Sequence, residues 1–185
     1  MSRKNTEAWN SIRSMCRMDN IDEKEMYQKA KMLLSIYRRV CWSTIGRADL
    51  VADEMCYYCG SDLDGALIYL EQFAPDKERD HFEGRIRALF ETRLMIELVD
   101  TAMLKVKEFP ENGDLYFDIL SKCYLSKFKY TESEMLELLN MERSRFYDRK
   151  KESIMLFGIS LWGSAIPKLK TFLIEDVETE KYEYV

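Results

Sequence analysis

The densest chemistry in this sequence lies between Arg143 and Lys151, RSRFYDRKK, where five cations and one anion give a local charge of +4. The whole chain carries −5, so the remainder carries −9 and positive charge is concentrated on this one segment. Side chains of these types bind polyanions. A guanidinium pairs bidentately with a phosphate or with the edge of a guanine, and an ammonium acts as a point charge on a phosphate. Screening at physiological salt acts over roughly 8 Å, so a phosphate beside this segment responds to the segment and not to distant carboxylates. The acidic total therefore excludes a protein coated in positive charge without excluding a local basic site.

Helical phase sorts these residues. With Phe146 facing inward, Lys150 lies nearly in line with it, and Ser153, Ile154 and Phe157 complete the inner face. Ser144, Arg145, Tyr147, Asp148 and Lys151 then point outward. Upstream, Thr131 and Glu134 stand at capping-box spacing before Met135, Leu138 and Leu139, which predicts a short helix burying those three. Asn140 should end it, because Asn tolerates the left-handed backbone of a tight turn, and Met141 should plug the angle between the two helices. A major groove admits one α-helix, presented N-terminus first by such a pair of helices. The expectation is double-stranded DNA as partner, with Ser144, Arg145, Tyr147 and Asp148 at base edges. Arg143, Arg149, Lys150 and Lys151 are expected on phosphates. The competing reading is a solvated face on a charged helix.

Residues Tyr130 to Phe157, YTESEMLELLNMERSRFYDRKKESIMLF, resemble the helix-turn-helix of region 4 in sigma-70 type factors, aligning without gaps. The C-terminal third is also similar, more loosely, to ArpU-type phage transcriptional regulators, which share a recognition helix rich in Tyr, Arg and Lys. The resemblance implies promoter or operator binding in a phage or prophage setting, and it allows contact with RNA polymerase. Asn140 and Glu142 stand where those factors usually have Gly and a Ser or Thr cap. Arg149 takes a place that is usually apolar in them. No sigma region 2 is recognisable upstream, so a complete sigma factor is not expected.

Other constellations offer less. Cys56 and Cys59 form a CxxC, but a closed zinc site needs four ligands and the chain has one histidine, His81. His81 sits in a charged stretch without a base partner, and no glycine-rich phosphate loop occurs. Neither an enzymatic activity nor a cofactor or metal is expected. Five cysteines, an odd number, fit reduced thiols in a cytoplasm.

The elements that must position the basic segment read as helices throughout: 46% hydrophobic and 33% charged residues with 7 Gly and 3 Pro leave few breakers. Asp22 and Glu25 predict a helix start, followed by Met26, Ala30, Leu33, Tyr37 and Val40 at alternating intervals of four and three. Further helices are expected over 48–59 and 61–73. A long one should run from Asp76 to Phe109, burying Met95, Val99, Ala102 and Val106. Pro110, Asn112 and Gly113 mark the clearest break, after which Asp114 is expected to cap a helix burying Phe117, Leu120 and Tyr124. Ile154 to Ile166 reads as a buried helix end, too short at 13 residues to span a bilayer. Trp162 and Gly163 before Pro167 suggest a final helix folding back on the bundle. Trp9, Trp42 and Trp162 read as core.

The fold class is all-α: a helical bundle over 1–110 for oligomerisation or partner binding, a C-terminal helix-turn-helix over 111–172, and an acidic tail over 173–185. The N-terminus lacks the apolar run of a signal peptide, so neither a membrane nor secretion is expected and the chain should be cytoplasmic. Two alternatives stay open: a DNA-packaging subunit of small-terminase type, whose long helix builds a ring, and a helical module that binds only protein.

Overall fold

The computed structural model describes residues 6–37, 93–168 and 171, and every regular element within them is helical. Helix α1 spans Glu7–Met18, α2 covers 23–37, and α3 is Arg93–Lys107. Helix α4, Gly113–Leu120, runs on through a wider π turn at Ser121–Leu125; α5 is Glu132–Leu138. Helix α6, Arg143–Ser160, continues through a second π turn at Leu161–Ala165. Val40, Trp42, the helices expected over 48–59 and 61–73, the first part of the long helix, Cys56, Cys59, His81 and the acidic tail lie outside the described residues.

Helix α1 is one that the sequence patterning did not announce. Thr6 caps it by accepting from the Trp9 amide at 3.1 Å, and Ala8, Ile12 and Cys16, one turn apart, form its buried face. It ends in a left-handed Asn20 (φ 53°), with the Ile21 amide bonded back to the Cys16 carbonyl at 2.8 Å. Asp22 then caps α2 as its spacing predicts, accepting from the Glu25 amide at 2.7 Å, and Met26, Ala30, Leu33 and Tyr37 are buried. The Arg13–Glu23 pair, 3.0 Å apart, spans the corner between the two helices.

Helix α3 buries Val99, Ala102 and Val106 but stops at Lys107, short of Phe109. The next corner corrects the expected cap. Helix α4 begins at Gly113, its N-cap is Asn112 in the left-handed region (φ 65°), and Asp114 lies inside the first turn. Glycine is needed at 113 for closeness: a Cβ there would stand 2.3 Å from the Lys107 carbonyl oxygen.

Helix α6 is the axis of the fold. All nine residues from Glu152 to Ser160 are buried, so this stretch must be largely apolar on every side, as IMLFGI is. Helices α1, α3 and α4 pack on it, and α2 lies so near that a Cβ on Gly158 would meet the Met26 sulfur at 2.9 Å. The apolar run from Ile154 ends as one rod carried through the π turn, with Trp162 partly buried against the core; it is not a separate helix folding back. Residues on both sides of the 110/111 break share one hydrophobic core, from Ala8 and Leu33 through Val99 to Tyr116, Phe157 and Ile166. No helix among the described residues is long and apolar enough to cross a membrane.

Candidate nucleic-acid interface

A second, smaller core supports the basic segment. Ile119 of α4, Met135 of α5 and Phe146 of α6 are its buried centre, flanked by Leu115, Cys123, Tyr130, Leu136, Leu139 and Met141. Helix α5 starts in a complete capping box: the Glu134 amide donates to the Thr131 hydroxyl at 3.3 Å, and the Thr131 amide donates to the Glu134 carboxylate at 2.6 Å. The Thr131 amide first, and then the Thr131 hydroxyl donating at 2.8 Å, hold the Glu134 carboxyl below its ordinary range. The helix ends as the sequence predicts, with Asn140 at φ 48°. The amides of Asn140 and Met141 turn back to the carbonyls of Glu137 and Leu136, at 3.1 and 3.0 Å, satisfying groups the helix end would otherwise leave open. Leu138, expected inside, is 55% exposed, because Met135 and Leu139 set the inward direction and Leu138 lies to the other side, where no helix among the described residues covers it. Leu136 is partly buried in its stead.

Helix α6 leaves this turn with Glu142 as an N-cap that makes no side-chain bond. Phe146 is buried as phased, and Ser144, Arg145, Tyr147 and Lys151 are exposed. Ser144 and Arg145 have no side-chain partner among the described residues. Asp148 is half-buried and engaged. The Tyr147 hydroxyl donates to Glu132 at 2.5 Å.

The four residues expected on phosphates divide. Arg143 is 72% exposed on its side chain yet paired with Glu132, 2.7 Å away. Lys151 is exposed, its ammonium 4.6 Å from the Trp9 ring centroid. Lys150 is half-buried, its ammonium 5.1 Å from the Tyr124 ring and 5.7 Å from that of Phe146. Arg149 is a correction. Its side chain is only 14% exposed, and its guanidinium donates to Glu152 at 2.8 Å and to the Tyr116 hydroxyl at 3.2 Å. It is therefore spent inside the protein and withdrawn from the phosphate set.

Glu152 is the site residue that sequence reasoning missed. Its buried carboxylate accepts from Arg149, from the Tyr116 hydroxyl at 2.8 Å and from the Thr6 hydroxyl, so one side chain ties α6 to α4 and to the cap of α1. Burial pushes the Tyr116 hydroxyl well above its usual range, and the Glu152 carboxylate adds to the shift. Burial alone would weaken the Arg149 charge, but the bond to Glu152 and its opposite charge more than offset that. The usable signal was Arg149 at a place that is apolar in the sigma-like pattern. Lys127 and Lys129, exposed in the loop before Thr131, add two cations that the sequence reading left aside.

Among the described residues no group of three or more His, Cys, Asp or Glu side chains could hold a metal ion. The buried Cys16 thiol is pushed up by desolvation first and then by Glu23 and Asp19, which disfavours a reactive thiolate. Comparison with protein-family models, with curated proteins and with solved structures finds no match to this chain.

Proposed function

We propose that this protein binds double-stranded DNA through a helix-turn-helix formed by α5 and α6 and acts as a transcriptional regulator. The observation that carries the reading is the one-sided bracing of α6. Its first nine residues rest through Phe146 on Ile119 and Met135, while Ser144, Arg145, Tyr147 and Lys151 face outward. A helix supported along one edge and bare along the other can enter a groove that admits one helix. Arg145, exposed and unpartnered among the described residues, is the side chain assigned to a guanine edge. Ser144 lies beside it as a further base contact, while Tyr147, expected at a base edge, stands with Arg143 toward the backbone. Arg143, Lys150 and Lys151 serve the phosphates, while Arg149 holds the helix in place.

Selection from a pool of random duplexes tests the reading. Enrichment of a defined motif is expected, with log affinity falling against log salt at a slope of roughly −3 for three phosphate contacts. Failure to enrich any motif, or affinity indifferent to salt, would refute it. Particle mass separates regulation from packaging: a monomer or dimer fits the proposal, and a ring of many subunits does not.

A further inference from the structure

A carboxylate already occupies the place on this face where an external anion would sit. Glu132, the first residue of α5, reaches across the turn to the start of α6. One of its oxygens accepts from Arg143 Nε at 2.7 Å and the other from the Tyr147 hydroxyl at 2.5 Å. The Arg143 guanidinium lies 6.0 Å from the Tyr147 ring centroid, so the three side chains form one cluster. Arg143 and Tyr147 are both exposed. A DNA phosphate offers the same chemistry, two oxygens sharing negative charge, and would engage the same pair of donors.

From this convergence we infer that Glu132 is an internal stand-in for a DNA phosphate, which the duplex must displace before Arg143 and Tyr147 can engage the backbone. The inference rests on the DNA reading and adds a regulation to it. Displacing Glu132 costs the same on every sequence, so it weakens binding to random duplex as much as to the target. Only a duplex that also satisfies Arg145 offsets that cost, and the carboxylate thereby limits wasteful occupancy of non-target DNA. The bond from Tyr147 to Glu132 also raises the tyrosine's pKa.

The test compares the full chain with Glu132→Gln, with Glu137→Gln, with Arg143→Gln, and with Glu132→Gln in the Arg143→Gln background. The probe is a fluorescent random-sequence duplex titrated across a salt series, with folding checked by circular dichroism. Glu137 is exposed on the same helix, so its replacement removes one charge without freeing Arg143. Glu132→Gln should tighten random-duplex binding roughly two- to fivefold, the range an exposed ion pair commands. Its salt slope should stay near the parent's, because Arg143 meets one phosphate in both proteins once Glu132 is displaced. Glu137→Gln should do less, and the gain should vanish in the Arg143→Gln background. Equal gains from both glutamines, a gain that survives without Arg143, or weaker binding by Glu132→Gln overturns the inference while leaving the DNA reading intact. No binding by any of these proteins overturns both.

Discussion

The first nine residues of α6, Arg143 to Lys151, and the last nine, Glu152 to Ser160, belong to one helix under opposite constraints. In the first half Phe146 is buried and Arg149 is spent on Glu152, while Arg143, Arg145 and Lys151 face solvent; every residue of the second half is buried. The second half is surrounded by other helices, so its composition answers to packing alone. The first half is braced by the small core around Met135 and, at its end, by Tyr116, Tyr124 and Trp9, while Ser144 and Arg145 carry no side-chain partner among the described residues. Anchoring and presentation are thus separated along one rod, and, Phe146 and Arg149 apart, substitutions should divide at residue 151 into those that cost stability and those that cost binding.

The sharpest way to break this division is a cavity in the second half. Phe157→Ala removes a fully buried ring and should destabilise the fold by about 3–5 kcal/mol, read as a lower urea midpoint. An effect below about 1 kcal/mol would show that the rod is not the core. At the junction, Glu152→Ala leaves Arg149 buried without its carboxylate and should cost about 3–5 kcal/mol. Replacing Glu152 and Arg149 together by Met should recover much of that loss, because the desolvation of two charges is relieved with them. No recovery would show that the bonds to Thr6 and Tyr116 carry the stability instead.

In the first half, Arg145→Ala should leave the unfolding midpoint within about 0.5 kcal/mol of the parent, since no described residue bonds to that side chain. It should instead lose about 1–3 kcal/mol of binding at one base position. An equal loss on all sequences would move Arg145 into the phosphate set. The smallest effect belongs to the cap of α5, where Thr131→Ala should cost about 1 kcal/mol. The folded-state pKa of Glu134 lies below its ordinary value of 4.5, so its contribution is complete above that value and is lost as pH falls through the lowered one. Helicity followed by circular dichroism across that acid range should therefore fall less steeply in Thr131→Ala than in the parent.

How much of this was legible depended on how near the partners lie in sequence. The Thr131–Glu134 box and the Asn140 turn are local, each completed within a few residues, and periodicity found Phe146 and the Val99 face because their partners follow at helical spacing. Arg149 escaped because its partners are Tyr116, 33 positions away, and Glu152, whose burial depends on α1 and α4 arriving together. An Arg three residues before a Glu reads as a surface pair until a tyrosine closes over it. Helix α1 escaped for a different reason. Its cap Thr6 has Trp9 and not Glu or Gln at the third position, and two of its three buried residues, Ala8 and Cys16, are too small to stand out in a charged sequence.

The contact between Gly113 and the end of α3 has a mechanical consequence. Helix α4 carries Ile119, Leu115 and Cys123 beneath the exposed half of α6, so the angle at which α4 leaves its corner sets the pitch of the surface above it. That angle depends on a missing methyl group. Adding one at 113 would wedge α4 off the Lys107 carbonyl and tilt the cationic helix, changing what it reaches without altering any residue on its face.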